Sequence, residues 1–92
     1  MESKTKTFCL GQIVATPNAL DRLDPQDVHH ALARHASCDW GDCSKEDADE
    51  NEFALDRRLR LFSAYRDRNN TKFWIITEAD RSATTILLPE DY

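Results

Sequence analysis

Four side chains suited to soft metals lie within fourteen residues: His30, His35, Cys38 and Cys43. Zinc takes such ligands as a tetrahedron, most often through closely spaced cysteine pairs. Here four residues separate the two cysteines, Trp40 among them, and no CxxC knuckle is present. The pattern therefore reads as a helix-end histidine with two loop thiols, and no metal or other cofactor is expected. Cys43 carries a second possibility. It stands just before Ser44, a residue suited to cap a helix, and a helix N-terminus lowers the pKa of a nearby thiol. Nothing in the sequence supplies an oxyanion hole to go with it, so the simpler reading is a partly buried thiol and no catalytic residue.

A third chemistry is metal-independent RNA cleavage. A helical front followed by a three-stranded meander is the layout of small barnase-like and RelE-like ribonuclease toxins. On that reading Tyr65, Glu78 and Arg81, with Thr85 nearby, form the nuclease face, and Arg81 meets an anionic oxygen. Two features oppose it. The chain carries a net charge of −5, which disfavours direct nucleic-acid binding, and no histidine falls in the meander. Otherwise Glu78, Asp80 and Arg81 simply pair with one another in a turn.

Charge is unevenly spread. Residues 39–52 hold seven acids against Lys45 alone, and residues 57–72 hold six bases against Asp67 alone. The two blocks either neutralise each other in the fold or present charged faces to partners. The acidic block can imitate a row of phosphates and occupy the basic groove of a nucleic-acid-binding protein, with Asp42, Glu46, Asp47, Asp49 and Glu50 as contacts. The plainer meaning of such a run is a solvated helix face. Arg57, Arg58 and Arg60 at the end of that helix are placed to bind an anion or the acidic block of a second copy.

Periodicity supplies the elements that position these groups. Residues 7–15 read as a first strand, with Gly11 marking a bulge or a close approach. Thr16-Pro17 and Asp24-Pro25 both read as helix starts, with a capping side chain and proline at the first helical position. Val28, Ala31, Leu32 and His35 then form one helical stripe. Gly41 breaks the loop at 37–43, and Trp40 anchors it by packing inward. Ser44 opens a third helix through a capping-box-like Ser-Lys-Glu-Asp, with Ala48, Glu52, Leu55 and Leu59 facing in and Phe53 adding apolar area. The period then falls to two, with strands at 59–66, 72–78 and 83–88 joined by an Asn69-Asn70 turn and a turn at 79–82. The expected fold is α+β: a three- to four-stranded antiparallel sheet, ending in a β-meander, with two to three helices packed on one face.

Ninety-two residues make a single domain with one modest core, and residues 1–6 read as disordered. Three cysteines, with no hydrophobic leader before them and no apolar run of membrane-spanning length, point to reduced thiols in a cytoplasmic protein.

Three stretches carry a resemblance: Leu10-Gly11-Gln12-Ile13-Val14-Ala15-Thr16-Pro17, Asp39-Trp40-Gly41-Asp42, and Trp74-Ile75-Ile76-Thr77-Glu78-Ala79-Asp80-Arg81-Ser82. In these the chain resembles a family of short bacterial proteins of plasmids, integrative elements and phages, often labelled plasmid-related or loosely type I restriction subunits. The likeness runs from about residue 10 to the end and implies a mobile-element setting, but it transfers no catalytic residue. A restriction methyltransferase does not fit in so short a chain without a glycine-rich cofactor motif. Small acidic proteins of such elements often disarm host defences. The reading that follows is a protein-binding module, an inhibitor of anti-CRISPR or anti-restriction type acting on a nucleic-acid-binding complex. The alternatives are the ribonuclease toxin and a regulatory homodimer formed through an exposed strand edge.

Overall fold

In the computed structural model, residues 8–92 are described. The assignment of residues 1–6 as disordered lies outside them. The elements run β1 (Gln12–Ala15), α1 (Pro17–Arg22), α2 (Pro25–Ala36), α3 (Lys45–Arg57), β2 (Leu61–Arg66), β3 (Lys72–Thr77), β4 (Ala83–Leu87) and a closing 3-10 turn, Pro89–Asp91. Each helix starts where its capping residue placed it. Thr16 accepts from the Ala19 amide, Asp24 from Gln26 and Asp27, and Ser44 from Asp47. α3 ends at Arg58, whose left-handed backbone (φ 55) closes the last turn.

The architecture is α+β, and β2, β3 and β4 form the expected meander. The sheet is mixed rather than purely antiparallel: the strand order is β1-β4-β3-β2, and β1 lies parallel to β4. β3 already occupies one side of β4, so β1 takes the other, and contacts at both of its ends set its direction. At the start, Gln12 donates to the Ser82 carbonyl (2.9 Å), beside Gly11 at φ 67. A Cβ on Gly11 would run into the Ser82 backbone. At the far end, Thr16 and Asn18 both donate to the Asp91 carboxylate (2.6 and 2.7 Å), pinning the chain as it enters α1.

The inner face of the sheet receives α1 and α2. Ala19, Leu23 and Ala31 pack with Tyr65, Phe73, Ile75, Ile86 and Leu88 in the main core. Trp40, Ala54 and Leu61 form a smaller cluster near α3. Trp40 does pack inward, with 6% of its surface exposed, and its indole donates to Glu52 (3.0 Å).

Ala48, Glu52 and Leu55 of the expected inner stripe of α3 do face inward, each partly buried, but the rest of the stripe differs. Asn51 and Ala54 are buried, whereas Leu59 and Phe53 are exposed. The reason lies at the edge of β2. The Asn51 side chain donates to the Phe62 carbonyl and accepts from the Phe62 amide (3.0 Å), so it replaces a neighbouring strand at that residue. One step along, the Ala64 amide donates to Trp40 O and the Ala64 carbonyl accepts from Asp42 (2.7 Å). Together these groups close an edge that would otherwise present free backbone to other chains. The bridge to Ala64 requires glycine at 41, where φ is 71 and a Cβ would collide with Ala64 O and the Tyr65 ring.

Candidate functional site

Four of the five acidic side chains named from the sequence occupy one surface. Glu46, Asp47, Asp49 and Glu50 lie on the solvent side of α3 and line a shallow depression with Phe53. Spacings of three, four and seven residues place Glu46, Asp49, Glu50 and Phe53 on one helical face. Phe53 is 52% exposed there, with the Arg57 guanidinium over its ring at 4.7 Å. Lys45 pairs with Asp49 (3.0 Å), but both side chains are largely exposed and the pair offsets little of the charge. Asp42 stands apart in the preceding loop, 3.9 Å from Arg66.

The basic block does not neutralise this face. Arg68 pairs across the fold with Asp24 and Asp27 of the α2 start (3.3 and 3.0 Å), and holds the Asp27 carboxyl below its ordinary pKa. Arg60 donates to the Tyr92 hydroxyl (2.7 Å), and Arg66 to Asn70 (3.3 Å). Of the ion pairs among the described residues, only Arg66–Asp42 joins the two blocks.

The histidines and cysteines do not converge. No group of three or more possible ligands assembles a metal site among the described residues. His30 is exposed, whereas His35 is wholly buried with both ring nitrogens engaged, by Ser63 and by Thr77. The relay beyond it assigns the proton. Thr84 donates its hydroxyl hydrogen to the Leu10 carbonyl (2.6 Å), so Thr77 must donate to Thr84 (2.8 Å). The Thr77 oxygen is then the acceptor for His35 Nε2–H (2.9 Å), and Nδ1 accepts from Ser63. His35 is thus the neutral Nε2–H tautomer, walled by Phe8 and Trp40 rings at 5.2 and 5.7 Å. Burial, and then the nearby Arg81 charge, pull its pKa down to about 4. Cys43 behaves oppositely to an activated thiol: burial pushes its pKa up, and its Sγ donates to Phe62 O (3.6 Å).

The nuclease face is not assembled. Tyr65 pairs with Phe73 at the β2–β3 turn end of the sheet, and Arg81 lies in the β3–β4 turn beyond Thr77 at the other end. Four residue steps along the strand, about 13 Å, separate Tyr65 from Leu61, the partner of Thr77. Tyr65 is buried, its hydroxyl donates to Asp39 O (2.6 Å), and burial pushes its pKa far up. Glu78 is exposed, and its backbone carbonyl, not its carboxylate, receives Arg81.

Sequence reasoning missed the roles of Asn51, Ser63, Thr77, Thr84 and Phe53. A signal existed for the three hydroxyls, which share the core-facing phase of their strands with Leu61, Ile75 and Ile86. Polar residues on that phase imply a buried partner. No family model, curated protein or solved structure matches the chain.

Proposed function

We propose that this chain is a small acidic protein-binding module whose contact surface is the outer face of α3. The observation that carries the reading is Phe53, more than half exposed among Glu46, Asp47, Asp49 and Glu50. A solvated charge run needs no aromatic at its centre, whereas an interface gains most of its energy from a central aromatic with charges steering the approach. The partner of matching chemistry is a basic groove with an apolar floor. The mobile-element resemblance supports a nucleic-acid-binding defence complex as its owner, which makes the module an inhibitor of anti-CRISPR or anti-restriction type.

The test is a tagged pull-down at low and high salt, comparing the wild type with Asp49→Lys/Glu50→Lys and with Phe53→Ser. One stoichiometric partner that is salt-sensitive and lost in both variants, with circular dichroism unchanged, is the expected result. A partner retained by both variants would remove α3 from the interface.

A second reading has its own observation. Gln12 and Thr16 spend their amides on β4, so by strand alternation Ile13 and Ala15 turn theirs to the other edge of β1, which no described strand covers and where Ile13 and Val14 are 45% and 42% exposed. An edge of this kind can pair with a second copy as a homodimer. Light scattering tests it: a monomer mass at high concentration eliminates the homodimer.

A further inference from the structure

Arg81 is fixed more firmly than a surface arginine. Its backbone is left-handed (φ 62), and its Nη1 donates to the carbonyls of Leu59, Glu78 and Ala79 at 2.8, 3.1 and 3.1 Å. This guanidinium ties the β3–β4 turn to the chain leaving α3, and its direction is set before any ligand arrives. Its Nη2 is shielded from water yet has no hydrogen-bond partner among the described residues. Among the described residues no carboxylate pairs with Arg81 or with Arg58.

The two arginines line one cleft of about 510 Å³, together with Phe8, Cys9, Leu55 and Asp80. Arg58 is the closing residue of α3, so a bend in the chain brings its charge toward that of Arg81. Burial and the repulsion of Arg58 together lower the Arg81 pKa. Asp80 lines the same cleft with its carboxylate held by the Ser82 amide (3.0 Å), and its single charge offsets only one of the two arginines. Two cations against one carboxylate leave the lining with a net positive charge, which a bound anion offsets. The guanidinium fork suits a tetrahedral oxyanion. The cleft is much larger than one such ion, and Phe8 and Leu55 give it an apolar wall.

We propose that this cleft binds a small organic phosphomonoester, with its phosphoryl group between Arg58 and Arg81 and its apolar part against Phe8 and Leu55. The site is separate from the α3 face and does not depend on it.

Arg81→Gln is a poor first test, because the same side chain holds three carbonyls. Arg58→Gly is better. It deletes one cation, and glycine relieves the left-handed backbone at that position, so the variant should melt higher than the wild type. Amide NMR titrations with inorganic phosphate and with phenyl phosphate, at constant ionic strength, provide the readout. The expected result is saturable shifts at Phe8, Cys9, Arg58 and Arg81, tighter for phenyl phosphate than for phosphate. Arg58→Gly should weaken both by about tenfold, as for the loss of one of two charge-assisted contacts. Equal binding of the two probes would assign the site to the free ion and overturn the organic ligand. No saturable shift at these residues, or undiminished binding in the thermally stable Arg58→Gly variant, would overturn the site.

Discussion

His35 makes the fold sensitive to mild acid, in a pH window set by one side chain. In the folded chain its ring is neutral, donates through Nε2 and has a pKa near 4, against 6.5 for an unconstrained histidine. The unfolded chain therefore binds a proton that the folded chain refuses. The stability that the neutral ring confers is fully present above pH 6.5 and is lost as the pH falls from 6.5 toward 4. From pH 7 to pH 5 the loss is about 2 kcal/mol, and it approaches about 3 kcal/mol below pH 4. A domain of this size has about 5–14 kcal/mol in total, so the change is a substantial share. Urea unfolding at the two pH values reads it directly, with a midpoint about 1–2 M lower at pH 5. The carboxyls that ion pairs hold below their usual 3.8, Asp27 by Arg68 and Asp39 by Arg34, lose their contribution only at still lower pH and do not blur this window. Nitrogen-detected NMR of the ring gives an independent check. Equal urea midpoints at pH 7 and 5, or a folded-state ring that titrates near 6.5 or carries its proton on Nδ1, would refute the relay from His35 through Thr77 and Thr84 to Leu10.

Asn51→Ala leaves the Phe62 amide unpaired and its carbonyl with only the weak Cys43 thiol donor, so urea unfolding should show a loss of about 1–3 kcal/mol. Gly41→Ala places a methyl against the Ala64 carbonyl in a left-handed backbone, so the loss should exceed about 2 kcal/mol, and a near-neutral result would place the 37–43 loop elsewhere. Tyr65→Phe deletes the bond to Asp39 O and should cost about 1–2 kcal/mol without toxicity or its relief in cells, whereas a lost growth defect would restore the nuclease reading. Among the thiols, exposed Cys9 should react with a maleimide well before Cys43, and equal rates by mass spectrometry would contradict the burial of Cys43.

Local grammar in the sequence determined most of the elements. Thr16-Pro17, Asp24-Pro25 and Ser44 mark helix starts because the cap bonds join residues two or three apart, and the stripe from Val28 to His35 is a property of one helix. The meander was legible for the same reason: its turns are short, so its strands pair with their neighbours in sequence. The acidic face of α3 was legible too, because helical spacing alone gathers Glu46, Asp49 and Glu50. Tertiary structure decided whatever joins distant residues. The parallel β1–β4 pairing rests on contacts between Gln12 and Ser82 and between Thr16 and Asp91, about seventy residues apart in each case. The exposure of Phe53 depends on Asn51, not its apolar neighbour, turning inward to cap β2. The separation of Tyr65 from Arg81 follows from strand direction, which places the two turns of the meander at opposite ends of the sheet. Likewise His35 looks like a helix-end ligand in one dimension. It becomes a neutral core group only because Ser63 and Thr77, 28 and 42 residues away, bring hydroxyls to both of its nitrogens and leave neither free for a metal or a substrate.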